Sequence, residues 1–228
     1  MAIRTVDNCT NGNLRYILNE LTALDFGEPM AGAHRAAILQ SLRKLVLLIE
    51  SMSPRQLGHG RRTADLSHHI GSVAGLSPDE LFDLTLAGLL HDIGLLTLPA
   101  ALLSESHQLS PRELALYQSH PRAGAELLQS ISFLRRPALW IAHHHERWDG
   151  CGYPYGLRGS FIPQGARILA VADTFDAFLF PAAHQGATAD VPAAIGLLRV
   201  VGGTQLDPDL VESCASMVLC VDQIDGVM

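Results

Sequence analysis

Apolar residues recur at helical spacing along most of this chain. Leu14, Ile17, Leu18, Leu21 and Leu24 fall on one face, as do Leu42, Leu45, Val46 and Ile49, so residues 1–54 are predicted to form a helical extension, with Asn11-Gly12-Asn13 as a start signal. Such stripes are core or helix-pairing surface, and the segment is too short for a sensor or receiver domain. Ser53-Pro54 marks a boundary, after which residues 55–228 read as the main domain. Within it, Ser77-Pro78-Asp79-Glu80 and Ser110-Pro111-Arg112-Glu113 each offer an N-cap serine, proline at the first helical position and a glutamate three residues after the cap. The first capping box starts a helix that should end near Leu90 and deliver His91-Asp92. The second leads to His120-Pro121, where the proline places His120 at a helix junction.

Helical patterns continue at about 122–130 and 134–147. Four glycines and two prolines between Gly150 and Pro163 then require a loop. Gln164 to Leu179 reads QGARILAVADTFDAFL, apolar around most of a helix and therefore buried, with Asp173 in its middle. Gly202-Gly203 ends another short helix, and Asp207-Pro208 caps a last one. No segment alternates as a strand would. The predicted architecture is all-α, a helical bundle with an N-terminal helical extension.

Composition narrows the function classes. With 228 residues, 48% of them hydrophobic and 17% charged, the chain can bury a substantial core. It has no apolar run near the ~20 residues that span a bilayer and no secretory pattern, which points to a cytoplasmic protein. Cys9, Cys151, Cys214 and Cys220 form no CxxC pair and read as reduced thiols. A formal charge of −7 argues against a nucleic-acid duplex or an anionic membrane as partner. An anionic substrate would need local positive charge, which bound metals can supply.

Candidate chemistry concentrates in AHHHERWDGCGYP, from Ala142 to Pro154, and at two carboxylates that burial would leave without water. The carboxylates are Asp173 on its apolar helix and Asp92 beside His91. His59, His91, Asp92, His120, His144, His145 and Asp173 together offer imidazole and carboxylate donors but no thiolate. That mixture suits Fe, Mn, Zn or Co better than Mg or Ca. Seven ligands exceed what one catalytic ion takes, so two metals sharing a carboxylate are the economical reading. Adjacent His144 and His145 point about 100° apart on a helix and can converge only near its end, which Asp149-Gly150 is expected to provide.

These residues carry a resemblance to the HD-GYP family of the HD phosphohydrolases, similar to known cyclic di-GMP phosphodiesterases. The matching segments are His91-Asp92-Ile93-Gly94, His120-Pro121, HHERWDGCGYPYGLRG from His144 to Gly159, IPQGARILAVAD from Ile162 to Asp173, and GGTQLDPDLV from Gly202 to Val211. The resemblance implies that His59, His91, Asp92 and Asp173 hold one metal and that Asp92 bridges to a second held by His120, His144 and His145. Asp92 is accordingly the candidate catalytic residue. A third metal in some members uses a glutamate four residues before the first histidine; Arg55 stands there, so two divalent ions, Fe or Mn, are expected. His34, His68, His69, His107, His143 and His184 have no part in the motif.

The implied activity is opening of cyclic di-GMP, or a related cyclic dinucleotide, to linear pGpG, with GMP as an onward product. Gly150, Gly152, Tyr153 and Pro154 would form a substrate-side loop, held by Arg147, Asp149 and Arg158, with Tyr153 either beside a base or anchoring the loop in the core. The chain departs from the family at Leu95, where most members have lysine, and at Phe178 to His184, where an Arg-Pro-Tyr element is usual. Both departures favour an alternative, a cyclic di-GMP receptor or protein-interaction module of weak or no activity. The N-terminal helices are a candidate surface for a homodimer or a signalling partner.

Overall fold

The computed structural model describes residues 8–25, 32–52, 56–103, 109–180 and 190–225. The Ser53-Pro54 boundary, Arg55, His107, Pro181 to His184 and the side chain of His34 lie outside the described residues. The fold is all-α: α1 (Asn8–Asp25), α2 (Gly32–Glu50), α3 (His59–Val73), α4 (Pro78–Leu90), α5 (Pro111–Tyr117), α6 (His120–Leu128), α7 (Arg135–His143), α8 (Gln164–Leu179), α9 (Val191–Val201) and α10 (Pro208–Asp225). There is no strand among the described residues, only an isolated bridge between Gly202 and Leu206. None of the described helices is long and apolar enough to cross a membrane.

Local signals set the ends of the helices around the site. Ser77 accepts from the Glu80 backbone while the Glu80 carboxylate takes the Ser77 N–H, and Ser110 and Glu113 do the same, so both expected capping boxes form. Two expected ends differ. Helix α1 already runs through Asn11-Gly12-Asn13, which is therefore not its start. Helix α7 stops at His143 instead of running to 147, and His144 and His145 occupy the turn that follows.

Packing then brings distant segments together. Helix α3 lies against α4 and α8, and α6 lies against α7. The α3–α4 crossing is close because Gly88 has no side chain; a Cβ there would meet the Ala64 Cα at 2.5 Å. This contact sets the first residue of α3, His59, beside the residues that leave α4, His91 and Asp92. Helices α1 and α2 bury Leu14, Ile17, Leu21, Leu42, Leu45 and Ile49 in the same apolar cluster as Leu84, Ile93 and Ile168 of the main bundle. The N-terminal helices are thus part of its core.

Candidate metal centre

All seven sequence-derived candidates meet in one place, each delivered by the end of an element or by the buried face of α8. His59 opens α3, His91 and Asp92 follow α4, His120 opens α6, His144 and His145 follow α7, and Asp173 comes from α8. They form two groups. Donor atoms of His59, His91 and Asp173 lie within 4.8 Å of one another, and so do those of His120, His144 and His145. Asp92 stands between: its Oδ2 is 3.9 Å from His59 Nε2 and 3.5 Å from His91 Nε2, while its Oδ1 is 3.5 Å from His120 Nε2.

The histidines are held with one nitrogen turned inward. Nδ1–H donates to a backbone carbonyl in three of them, to Gly88 at 2.9 Å from His91, to Tyr117 at 2.8 Å from His120 and to Ile141 at 2.7 Å from His144. A carbonyl only accepts, so each neutral ring keeps its lone pair on Nε2. His120 Nε2 and His144 Nε2 are buried without a hydrogen-bond partner among the described residues. Two orphaned acceptors facing the same space are costly in a finished core and are what a cation would satisfy. The residues present therefore fit a metal, and the outer hydrogen bonds are the kind that orient imidazole ligands.

Charge differs between the two groups. Burial, reinforced by neighbouring imidazoles, pushes His144 well below its ordinary range, lowers His145 to about 4 and also lowers His120. Burial acts the same way on His59, but hydrogen bonds to Asp173 and Asp176 and the charges of Asp173 and Asp92 outweigh it and raise His59 to about 10. The carboxyls of Asp92 and Asp173 are held below the usual range because nearby histidines outweigh the cost of burial. His59 Nε2 lies 3.1 Å from His91 Nε2, a contact that needs a proton on one ring. In the metal-free chain a proton on His59 thus occupies the place a cation would take.

That proton predicts how metal loads. His59 is protonated in the metal-free fold up to about pH 10, so filling its group near pH 7.5 should release about one proton per chain, whereas the neutral three-histidine group loads without release. Affinity at the His59 group should therefore fall about tenfold for each pH unit below 10. Titration calorimetry in two buffers of different ionisation heat measures this directly; a buffer-independent heat would contradict it.

Several residues of the site were not found by sequence reasoning. Asp176 accepts from Arg62 at 2.5 and 3.0 Å and lies 2.7 Å from His59 Nδ1, while the Arg62 guanidinium sits over the Phe180 ring at 4.1 Å. Asp176 is a second carboxylate on buried α8, and the cost that drew attention to Asp173 could have flagged it too. The buried Glu146 carboxylate takes the N–H of Tyr155 at 2.7 Å and of Leu157 at 2.9 Å, closing the loop after α7. Gln56 donates to Asp92 Oδ2 at 2.6 Å. No local pattern marks this contact.

Beside the metal groups lies a cavity of about 530 Å³ whose wall includes His144, His145, Arg147, Tyr153, Asp173 and Phe178. Of Gly150, Gly152, Tyr153 and Pro154, Tyr153 is the one that lines it; its ring also stacks on His145, with centroids 4.9 Å apart. Tyr153 thus faces the cavity and packs against a candidate ligand. Arg147 makes a two-pronged ion pair with Asp149, at 3.1 and 2.6 Å, that holds the loop as expected. Arg158 instead packs its stem along Gly150. His143 stacks on Tyr155 and belongs to neither metal group, and His68 and His69 are exposed. Leu95 is 3% exposed, so this side chain is a packing element. Cys151 and Cys214 are free thiols.

Comparison with known proteins places the chain in a family. A family model described as the HD domain matches residues 44–210. The cyclic di-GMP phosphodiesterase response regulator RpfG of Xanthomonas campestris pv. campestris is 39% identical over 166 residues, covering 71% of this chain and 44% of that protein. The 3'3'-cGAMP-specific phosphodiesterase 1 of Vibrio cholerae is 33% identical over 139 residues, 61% of this chain and 32% of that protein. The chain spans less than half the length of either relative. Among solved structures, Bd1817 of Bdellovibrio bacteriovorus, described as an HDG"Y"P protein, shares the fold with a TM-score of 0.60 at 20% identity, over 94% of this chain and 73% of that one.

Proposed function

The chain belongs to the HD domain family, and on that premise we propose that it is a metal-dependent phosphodiesterase opening cyclic di-GMP to linear pGpG, with GMP as an onward product. The observation that carries this reading is Asp92, one carboxylate whose two oxygens face two separate groups of ligands. His59, His91 and Asp173 would hold one divalent ion and His120, His144 and His145 the other, with Asp92 shared. Iron or manganese suits this nitrogen and oxygen donor set. Bound there, the pair would supply Lewis acidity toward a phosphodiester and an activated water.

The protein's own groups arrange the rest. The Arg147 guanidinium is committed to Asp149 and Leu95 is buried, so neutralising a doubly anionic substrate falls mainly to the ions. Tyr153 gives the cavity a flat wall against which a guanine ring can pack, and the same ring buttresses His145. Relatives named for cyclic di-GMP and for 3'3'-cGAMP both support a cyclic dinucleotide as substrate.

The test is a hydrolysis assay on anaerobically purified protein whose metal content is measured on the same sample. With Mn or Fe supplied, cyclic di-GMP should yield pGpG. Cleavage of 3'3'-cGAMP in preference would move the substrate within the class. Protein holding two ions that binds cyclic di-GMP and leaves it uncut would overturn the enzyme reading in favour of a receptor.

A further inference from the structure

We propose that Gln56 is a positioning residue for Asp92: its side-chain amide fixes the plane of the shared carboxylate so that each oxygen faces its own group of ligands. This rests on the two-ion reading above. Asp92 precedes the 3-10 turn Ile93–Thr97 and makes no side-chain hydrogen bond to cap it, so the backbone of that turn leaves the carboxylate free to rotate about χ2. The Gln56 amide supplies the missing constraint, donating to Oδ2 at 2.6 Å.

Both ends of this contact are buried, Gln56 at 7% and Asp92 at 8% exposure, which strengthens the bond between them. Gln56 lies in the short turn into α3, two residues before Gly58, whose N–H donates to the Glu50 carboxylate at the end of α2 at 3.0 Å. The residue type matters in two ways. A neutral N–H donor suits a charged carboxylate without placing a competing cation where ions must sit. A glutamate of the same shape would set an acceptor against an acceptor at 2.6 Å.

The experiment compares wild type with Gln56→Met, which keeps the length and loses the donor. Metal retained against a chelator is read by elemental analysis, and kcat and KM are read separately on cyclic di-GMP. Gln56→Met should lose metal about tenfold or more faster and lower kcat with little change in KM, while circular dichroism of the metal-free protein shows the helices retained. In an Asp92→Asn background the same substitution should change metal retention no further, because the group it acts through is already altered. Wild-type metal retention in Gln56→Met, or an equal loss in the Asp92→Asn background, overturns the assignment. Because metal is measured without substrate, a wild-type chain that binds metal but cleaves nothing would strike the enzyme reading and leave this one standing. A wild-type chain that binds no metal would end both.

Discussion

Asp92→Ala is expected to lower hydrolysis of cyclic di-GMP by on the order of a thousandfold or more and to leave fewer than two ions per chain. The size of the effect follows from position. Every other candidate ligand belongs to one group, so its loss weakens one ion; Asp92 reaches toward both, with Oδ2 on the His59 and His91 side and Oδ1 on the His120 side. With an ion in each group, removing it would leave three donors per ion and take away a shared negative charge that would moderate repulsion between the two cations. Asp92→Asn keeps the shape but not the charge, so it should fall close to the alanine variant. Elemental analysis and turnover on one preparation check the outcome, with circular dichroism showing that the helices persist. An Asp92→Ala protein that stays active with two ions would refute the shared-carboxylate arrangement.

What could be read in advance divides by range. The Ser77–Glu80 and Ser110–Glu113 boxes each span three residues, so both partners are visible in one glance at the sequence. Pro121 likewise placed His120 at the start of α6. The metal-ligand candidates were legible because His91-Asp92, His120-Pro121 and His144-His145 stand in short recognisable segments and Asp173 sits on an apolar helix. The Arg62–Asp176–His59 chain was not, since its members are 114 and 117 residues apart and only the packing of α3 on α8 joins them. Gln56 and Asp92, 36 residues apart, escaped for the same reason. The early end of α7 escaped because 144–147 keeps a helix-compatible composition, while the loop contacts that unwind it, such as the Tyr153 N–H to His145 carbonyl bond of 3.1 Å, come from later in the chain. Leu95 reads from sequence as a missing charge and from structure as packing.

Gly94→Ala should be the most damaging single-atom addition near the site, and it tests how the two groups are brought together. A Cβ at residue 94 would lie 1.9 Å from the His120 carbonyl oxygen and 2.8 Å from the Gly124 nitrogen. Both are backbone atoms of α6, so no side chain can swing aside; the turn after Asp92 and the first turn of α6 must separate by an ångström or more. Those two segments carry Asp92 and His120, whose facing atoms are 3.5 Å apart. The expected result is a loss of about 3 kcal/mol from overpacking, hence a melting temperature lower by roughly 6–12 °C, together with poor retention of metal at the three-histidine group. Gly196→Ala serves as the control, since a Cβ on this residue of α9 meets nothing within 4 Å and helix propensity favours alanine there by up to about 1 kcal/mol. Thermal melts of the metal-free proteins separate packing from ligation, and elemental analysis reports the ligation. Wild-type melting and full metal content in Gly94→Ala would show that the turn and α6 can move apart without cost, and that the glycine of the His-Asp-Ile-Gly motif does not set the spacing between Asp92 and His120.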